Sequence, residues 1–230
     1  TRSIALSPES SKTTLPSQSQ TANESADFFV NFLNKIAGDR YFKTIIELGC
    51  NDLHLLKMIK SKAEKLIGID PILRGREKEF SDDKVIAIGD FFENVTLKDD
   101  IELVICKDTL EHVPDPVAFV KKIIDCADPN ALFLFQFPIL ETLLSGCRFD
   151  QIFHQHLNYF SLRSILHMLD QLDCELVSHM IDQDHWGAIL IAFQKKQNRP
   201  AGHVDARLLV GHPLDCVDPQ HGDFRTFQGA

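Results

Sequence analysis

Several things are scarce in this 230-residue chain, and each scarcity removes a class of function. Basic residues are outnumbered: 24 Lys and Arg against 33 Asp and Glu give a formal charge of −9. Nucleic-acid binding draws on clustered Lys and Arg that release counterions, so no nucleic-acid partner is expected. The six cysteines lie far apart, and none forms a C-x-x-C pair. That spacing fits buried, reduced thiols rather than a disulfide frame or a zinc knuckle. No apolar run approaches the ~20 residues that a membrane-spanning helix needs, and no charged-then-apolar signal segment opens the chain. The expectation is a soluble, cytoplasmic protein with no membrane partner. No internal repeat is found.

What is present reads as one domain with two appendages. Residues 1–22 are rich in Ser, Thr, Gln and Pro and bury too little to offset their ordering entropy, which predicts a flexible arm. Residues 195–230 scatter Gly, Pro, His and Asp without period and predict an irregular tail. Between them, over 23–194, Asn23 can cap a helix whose Phe28, Phe29, Phe32, Leu33 and Ile36 form one stripe, with Gly38 ending it. Strands are predicted at 44–48, 65–70, 84–88, 101–106, 131–137, 174–181 and 188–193. A helical stripe runs through Leu55, Leu56, Ile59 and Ala63. Another follows Asp115 as cap and Pro116 at the first helical position, and a third follows Ser161. Continuous apolar strands, each followed by a helix-length segment, predict an α/β protein with a Rossmann-like, mostly parallel seven-stranded sheet. Helices would cover both faces, with the last strand antiparallel and the last two runs forming a hairpin at one edge.

In such a sheet the first strand-to-helix turn is the usual ligand cradle. Here it reads Gly49-Cys50-Asn51-Asp52 in "TIIELGCNDLHLLK". Gly49 permits close backbone approach, but a dinucleotide fingerprint needs glycine at Asn51 and His54, so a pyrophosphate site is disfavoured. Three acids remain at successive strand ends: Glu47, Asp70 and Asp90. Each alone is as compatible with a helix cap or a solvated loop. Three in register suit a ligand with an amine, a ribose diol and an adenine amino group, which describes S-adenosylmethionine. Asp70 would take the ribose hydroxyls, and Asp90 would face the adenine edge with Phe91 packed near the ring.

The segments "ELGCNDLHLL", "IGIDP" and "LVICKDTLEHVPDP" resemble the binding motifs of class I S-adenosylmethionine-dependent methyltransferases. "FDQIFHQHLNYFSLRSILHML" resembles more narrowly the sugar C-methyltransferases that act on nucleotide-linked keto-deoxysugars. The resemblance spans about residues 41–194 and implies S-adenosylmethionine as cofactor and a small-molecule substrate, possibly a nucleotide sugar. It places the group's base at His156. The backbone from Lys107 to Thr109 would line the cofactor pocket, with His112 facing the substrate; a turn-shaping role for the "LEHVPDP" segment is equally compatible. The group carries glycine where Leu53 stands, so the leucine would narrow the space beside the methionine moiety. It also carries tyrosine at Phe153 and glutamate at Gln155. Cysteines matching the group's amino-terminal zinc site, and its large carboxyl-terminal domain, are not found in these 230 residues.

Carbon methylation needs a base to remove a proton beside a carbonyl and a donor to hold the enolate oxygen. His156 has the intrinsic pKa for the first task. His154, on the same side if this stretch is extended, would assist, with Asn158 and Tyr159 as further polar candidates. Two partly exposed loop histidines are the plainer reading of "HQH". Metal binding by that pair lacks a third ligand at short spacing, so no metal is assigned. Trp186 would partly fill the substrate cleft or cover the sheet edge. Oxygen or nitrogen methylation, a methyltransferase-like binding module without catalysis, and a nicotinamide oxidoreductase sharing only the fold are the competing readings.

Overall fold

The computed structural model describes residues 19–182 and 187–196. The chain begins with α1 (Gln20–Ala37), capped by Ser19, whose Oγ accepts from Ala22 N, and closed by Gly38. The cap therefore stands four residues before the expected Asn23. A serine hydroxyl one residue upstream of the first turn does the same work as asparagine, and the stripe of Phe29, Phe32 and Leu33 is buried as expected.

Then follow β1 (Phe42–Leu48), α2 (His54–Met58), β2 (Ala63–Ile69), α3 (Glu77–Phe80), β3 (Val85–Ile88), β4 (Ile101–Lys107) and α4 (Pro116–Cys126). The chain continues through β5 (Leu132–Pro138), α5 (Leu140–Ser145), α6 (Leu162–Gln171), β6 (Cys174–Asp182) and β7 (Ala188–Lys195). All seven expected strands are present. The helix expected to reach Ala63 is not: α2 ends at Met58, a 3-10 turn covers Lys60–Lys62, and Ala63 pairs with Phe42 as the first residue of β2. Sheet pairing has won over helical periodicity at that end. The caps Asp115 and Ser161 stand where expected, each side chain accepting a backbone N–H of the first turn.

The strands form one sheet in the order β3-β2-β1-β4-β5-β7-β6. The pairs from β3 through β5 are parallel, while β7 runs antiparallel to both β5 and β6. The last two strands do pair with each other, with β7 inserted beside β5 and β6 at the edge. Successive strand residues face opposite sides of a sheet, and the core divides accordingly. Ile46, Leu48, Ile67 and Val104 pack with α4 and α6, whereas Ile45, Leu66, Leu103 and Ile105 pack with α1 and α2. Phe193 bridges neighbouring strands by stacking on Phe133 at 4.9 Å between ring centroids. Such burial of a whole aromatic side chain stabilises by roughly 1.5–3 kcal/mol.

Among the described residues no helix is long and apolar enough to cross a membrane. Strand order reverses between β1 and β4, and ligands of open parallel sheets settle at that switch point.

Candidate active site

The turn after β1 is built from left-handed backbone. Gly49, Asn51 and Leu53 have φ of 72°, 48° and 62°. Gly49 is required twice over, because of that φ and because a Cβ there would overlap the Thr109 hydroxyl. Thr109, in the loop after β4, directs that hydroxyl at the backbone carbonyls of Leu48 and Lys107, so the turns following β1 and β4 lock together.

Leu53 departs from the expectation that its bulk narrows the cofactor space. The side chain is fully buried in the core with Cys50 and Leu56, packed over Gly68. Apolar burial has pulled it inward despite its left-handed backbone, which costs a branched residue roughly 1–2 kcal/mol.

The three acids do not share one cavity. Asp70 and Asp90 line a cavity of about 330 Å3 together with Gly49, Asn51, Phe91 and His112. Glu47 lines a second, of about 380 Å3, with Lys107, Asp52 and residues of α1. Gly49, Asn51 and Asp108 belong to both linings, so the two adjoin along the β1 turn.

Asp70 Oδ2 accepts from Asn51 N and Oδ1 from Ile72 N, each at 2.9 Å. The Asp90 bonds converge on Oδ1, from Asn94 Nδ2, Phe91 N and Arg74 Nη2. These donors, Asn94 foremost, hold the carboxyl below the usual range. Phe91 is 56% exposed, leaving its ring face open to a ligand.

Glu47 is buried and its Oε2 has no hydrogen-bond partner among the described residues. Burial pushes its carboxyl up to about 8 against the pull of Lys107. Lys107 itself is ion-paired with Asp108. Asp108 in turn accepts from Gln136 Nε2 at 3.1 Å, and the same amide reaches Ser25 of α1 at 3.2 Å.

The histidines come together from separate segments. A 3-10 turn, Leu110–His112, follows β4, and a loop between α5 and α6 carries His154 and His156. Leu157 N and Asn158 N both donate to Glu111 O, at 2.8 and 3.1 Å, and Asn158 Nδ2 donates to Val113 O. These bonds press the loop onto the turn. The rings of His112 and His156 lie 5.0 Å apart.

His156 Nδ1 is 3.0 Å from Gln151 O, and His112 Nδ1 is 2.8 Å from Gln155 O. A carbonyl only accepts, so Nδ1 carries a proton in each ring, and in the neutral ring Nε2 holds the lone pair. Burial, then the neighbouring His112, lowers the His156 pKa. Phe153 packs on His156 at 4.2 Å and Tyr159 stands edge-on at 6.3 Å.

His154 does not join them. The expectation that it shares a side with His156 rested on extended backbone, but His156 N bonds back to Phe153 O in a turn and His154 is exposed. Tyr159 also lines a separate apolar cavity of about 300 Å3 with Phe149 and Ile152. Trp186 lies outside the described residues.

Sequence reasoning places Glu111 in the turn after the fourth strand but gives it no role. It is buried, its Oε2 lacks a hydrogen-bond partner among the described residues, and burial followed by Asp108 pushes its carboxyl up to about 8. The signal was its place in the turn that follows the apolar strand β4, next to His112. The cysteines are unpaired among the described residues, and burial raises the thiols of Cys50 and Cys106, so neither acts as a nucleophile.

A methyltransferase-domain family model matches residues 18–179, and the chain belongs to that family. Among curated proteins it is 25% identical over 152 residues to the C-methyltransferase NovU of Streptomyces niveus, covering 64% of this chain and 36% of the relative. The chain thus spans about a third of that relative's length. Among solved structures it is similar to the N-methyltransferase NodS of Bradyrhizobium japonicum in complex with S-adenosyl-L-homocysteine, with TM-score 0.58 and 12% identity over 77% of this chain and 89% of that one. An S-adenosylmethionine-dependent methyltransferase of Clostridium acetobutylicum gives TM-score 0.57 at 10% identity, covering 76% and 92%. The Rossmann-like sheet expected from the sequence is the sheet these structures share.

Proposed function

We propose that the chain is an S-adenosylmethionine-dependent C-methyltransferase of a small molecule, a nucleotide-linked keto sugar, with His156 as general base. One observation carries the reading. The cavity lined by Asp70 and Asp90 is also lined by His112, and beside His112 stands an imidazole whose Nε2 holds a lone pair. The partial match to a C-methyltransferase favours carbon over oxygen or nitrogen as acceptor.

The residues at the β1 turn fit the cofactor. Asp70 uses one lone pair of each oxygen on backbone N–H groups and keeps others for two ribose hydroxyls. Asp90 Oδ2 and the open face of Phe91 suit the adenine edge and ring. The unpartnered Glu47 Oε2, beside Lys107, suits an amino-acid ammonium. The cofactor supplies an electrophilic methyl on a sulfonium.

His156 Nε2 takes the proton from the carbon beside the substrate carbonyl, leaving imidazolium. The methylated carbon gains one C–C bond as the S–C bond breaks. Asn158 and Tyr159 are proposed as donors toward the enolate oxygen, with His154 an outer contact to substrate. The cysteines among the described residues are unpaired, which suits a reducing cytoplasm.

The test is proton exchange in heavy water with a 4-keto-deoxysugar nucleotide. The wild-type chain is expected to wash deuterium into the carbon beside the carbonyl and to give a C-methyl signal by NMR. His156→Asn should lose both by 100-fold or more. Methylation at oxygen, or transfer undiminished in that variant, overturns the reading.

A further inference from the structure

The β4 turn and the His156 loop together place three ligand-bearing groups in one spot. One ligand atom from each of Glu111, His112 and His156 lies within 4.8 Å of the other two. Both imidazoles give Nδ1–H to a backbone carbonyl, of Gln155 and of Gln151. That is the outer-shell arrangement that orients a metal-binding histidine and leaves Nε2 to the ion. Glu111 is 3% exposed, and its Oε2 has no hydrogen-bond partner among the described residues. A buried carboxyl oxygen left unpaired is costly unless something else binds it. Its Oε1 is 3.9 Å from His112 Nε2, too far for a hydrogen bond and close enough for both to reach one small ion.

We infer that Glu111, His112 and His156 form a binding site for a zinc-class divalent cation. Two imidazole nitrogens and one carboxylate oxygen are the donor set of open zinc sites, with a fourth position left to water or a substrate oxygen. Ligand atoms of a tetrahedral ion stand roughly 3.4 Å apart for bonds near 2.1 Å, so binding draws the three groups together by about an ångström. The loop around residues 153–157, exposed apart from half-buried His156, carries one of the three ligands and would make that approach. Hard, octahedral magnesium, which prefers oxygen ligands and water, fits this set poorly.

The consequence rests on the proposed base. A cation on the cluster takes the His156 Nε2 lone pair, and the same lone pair then accepts no proton. Bound zinc therefore blocks carbon methylation without displacing the cofactor, whose proposed contacts Asp70, Asp90 and Glu47 are different residues.

The experiment uses the whole chain freed of any affinity tag and of metal. Titration with zinc chloride is followed by calorimetry, and titration with cobalt chloride by visible absorption. One equivalent should bind, with the intense visible bands of tetrahedral cobalt. Glu111→Gln and His112→Asn should each weaken zinc by 10-fold or more while keeping native circular dichroism, and His167→Asn on α6 should leave it unchanged. Zinc should then abolish methyl transfer, a chelator should restore it, and calorimetry with S-adenosylhomocysteine should be unaffected by zinc. Zinc affinity insensitive to both cluster variants overturns the site. Binding that leaves transfer intact overturns the blocking role. The binding arms need no methyl transfer, so failure of the proposed reaction is read separately.

Discussion

Asp70 Oδ2 accepts a hydrogen bond from Asn51 N at 2.9 Å, joining the end of β2 to the turn after β1. The proposed ribose ligand is thus also the brace of the cradle it serves.

Replacing Asp70 by Ala should therefore move two measurements at once. Charge-assisted hydrogen bonds of this kind contribute about 1.5–3 kcal/mol, so chemical denaturation should show a loss of that order. Calorimetry should show cofactor affinity reduced by 10-fold or more. A stability loss with unchanged affinity would leave Asp70 as a brace alone.

Glu47 gives a pH signature. Its carboxyl is raised from 4.5 to about 8 by burial. A raised folded-state value means this group's contribution is fully present below pH 4.5 and is lost as pH rises toward 8, where the buried charge forms. The size is on the order of 5 kcal/mol at most. Glu47→Gln, which stays neutral, should gain stability relative to the wild type across that window, measured by urea denaturation at intervals from pH 5 to pH 8.5.

As the proposed ammonium ligand, the same carboxyl should make cofactor binding release protons. An ammonium seated against Glu47 favours its ionised form, so binding at pH 7 should expel close to one proton in the wild type and fewer in Glu47→Gln. The dependence of binding enthalpy on buffer ionisation enthalpy reads this number. Equal proton release in both chains would remove Glu47 from the amine site.

Leu53→Gly restores the residue the turn's φ prefers but empties a buried position. Strain relief is worth roughly 1–2 kcal/mol, and deleting a core leucine costs about 2–5 kcal/mol. The variant should be destabilised by about 1–3 kcal/mol in thermal or chemical unfolding, with cofactor affinity little changed because Leu53 lines neither cavity.

Gly49→Ala should destabilise by about 2 kcal/mol or more, since it meets both a positive φ and the Thr109 hydroxyl. Thr109→Gly in the same chain should recover part of that loss. A double-mutant cycle measures the recovery as non-additivity, and strict additivity would show that the clash is absent.

Much was legible one segment at a time. Asp115, Ser161 and Gly38 mark helix ends through side-chain or backbone geometry that neighbours along the chain dictate. The apolar strands read as strands because both faces of the sheet are covered. The boundaries that slipped, at Ser19 and Ala63, are ends where an alternative cap or a distant strand competes with local periodicity. Of the site, Asp70, Asp90, Phe91 and His112 were placed in one cavity, as their positions after successive strands imply. Glu47 went to the adjoining cavity, because the side chain of a strand's penultimate residue points to one face of the sheet and that face is roofed by α1.

What the amino-acid order fixed by itself is the alternation of strand and helix, the ends of most helices and the acids at the strand ends, since each depends on contacts within a few residues. The tertiary structure alone decided that β7 enters between β5 and β6, that Leu53 turns inward, and that Glu111 and His112 meet His156 across 45 and 44 positions of chain. No local pattern encodes such meetings, because they depend on where a loop lies once Leu157 and Asn158 have bonded back to Glu111.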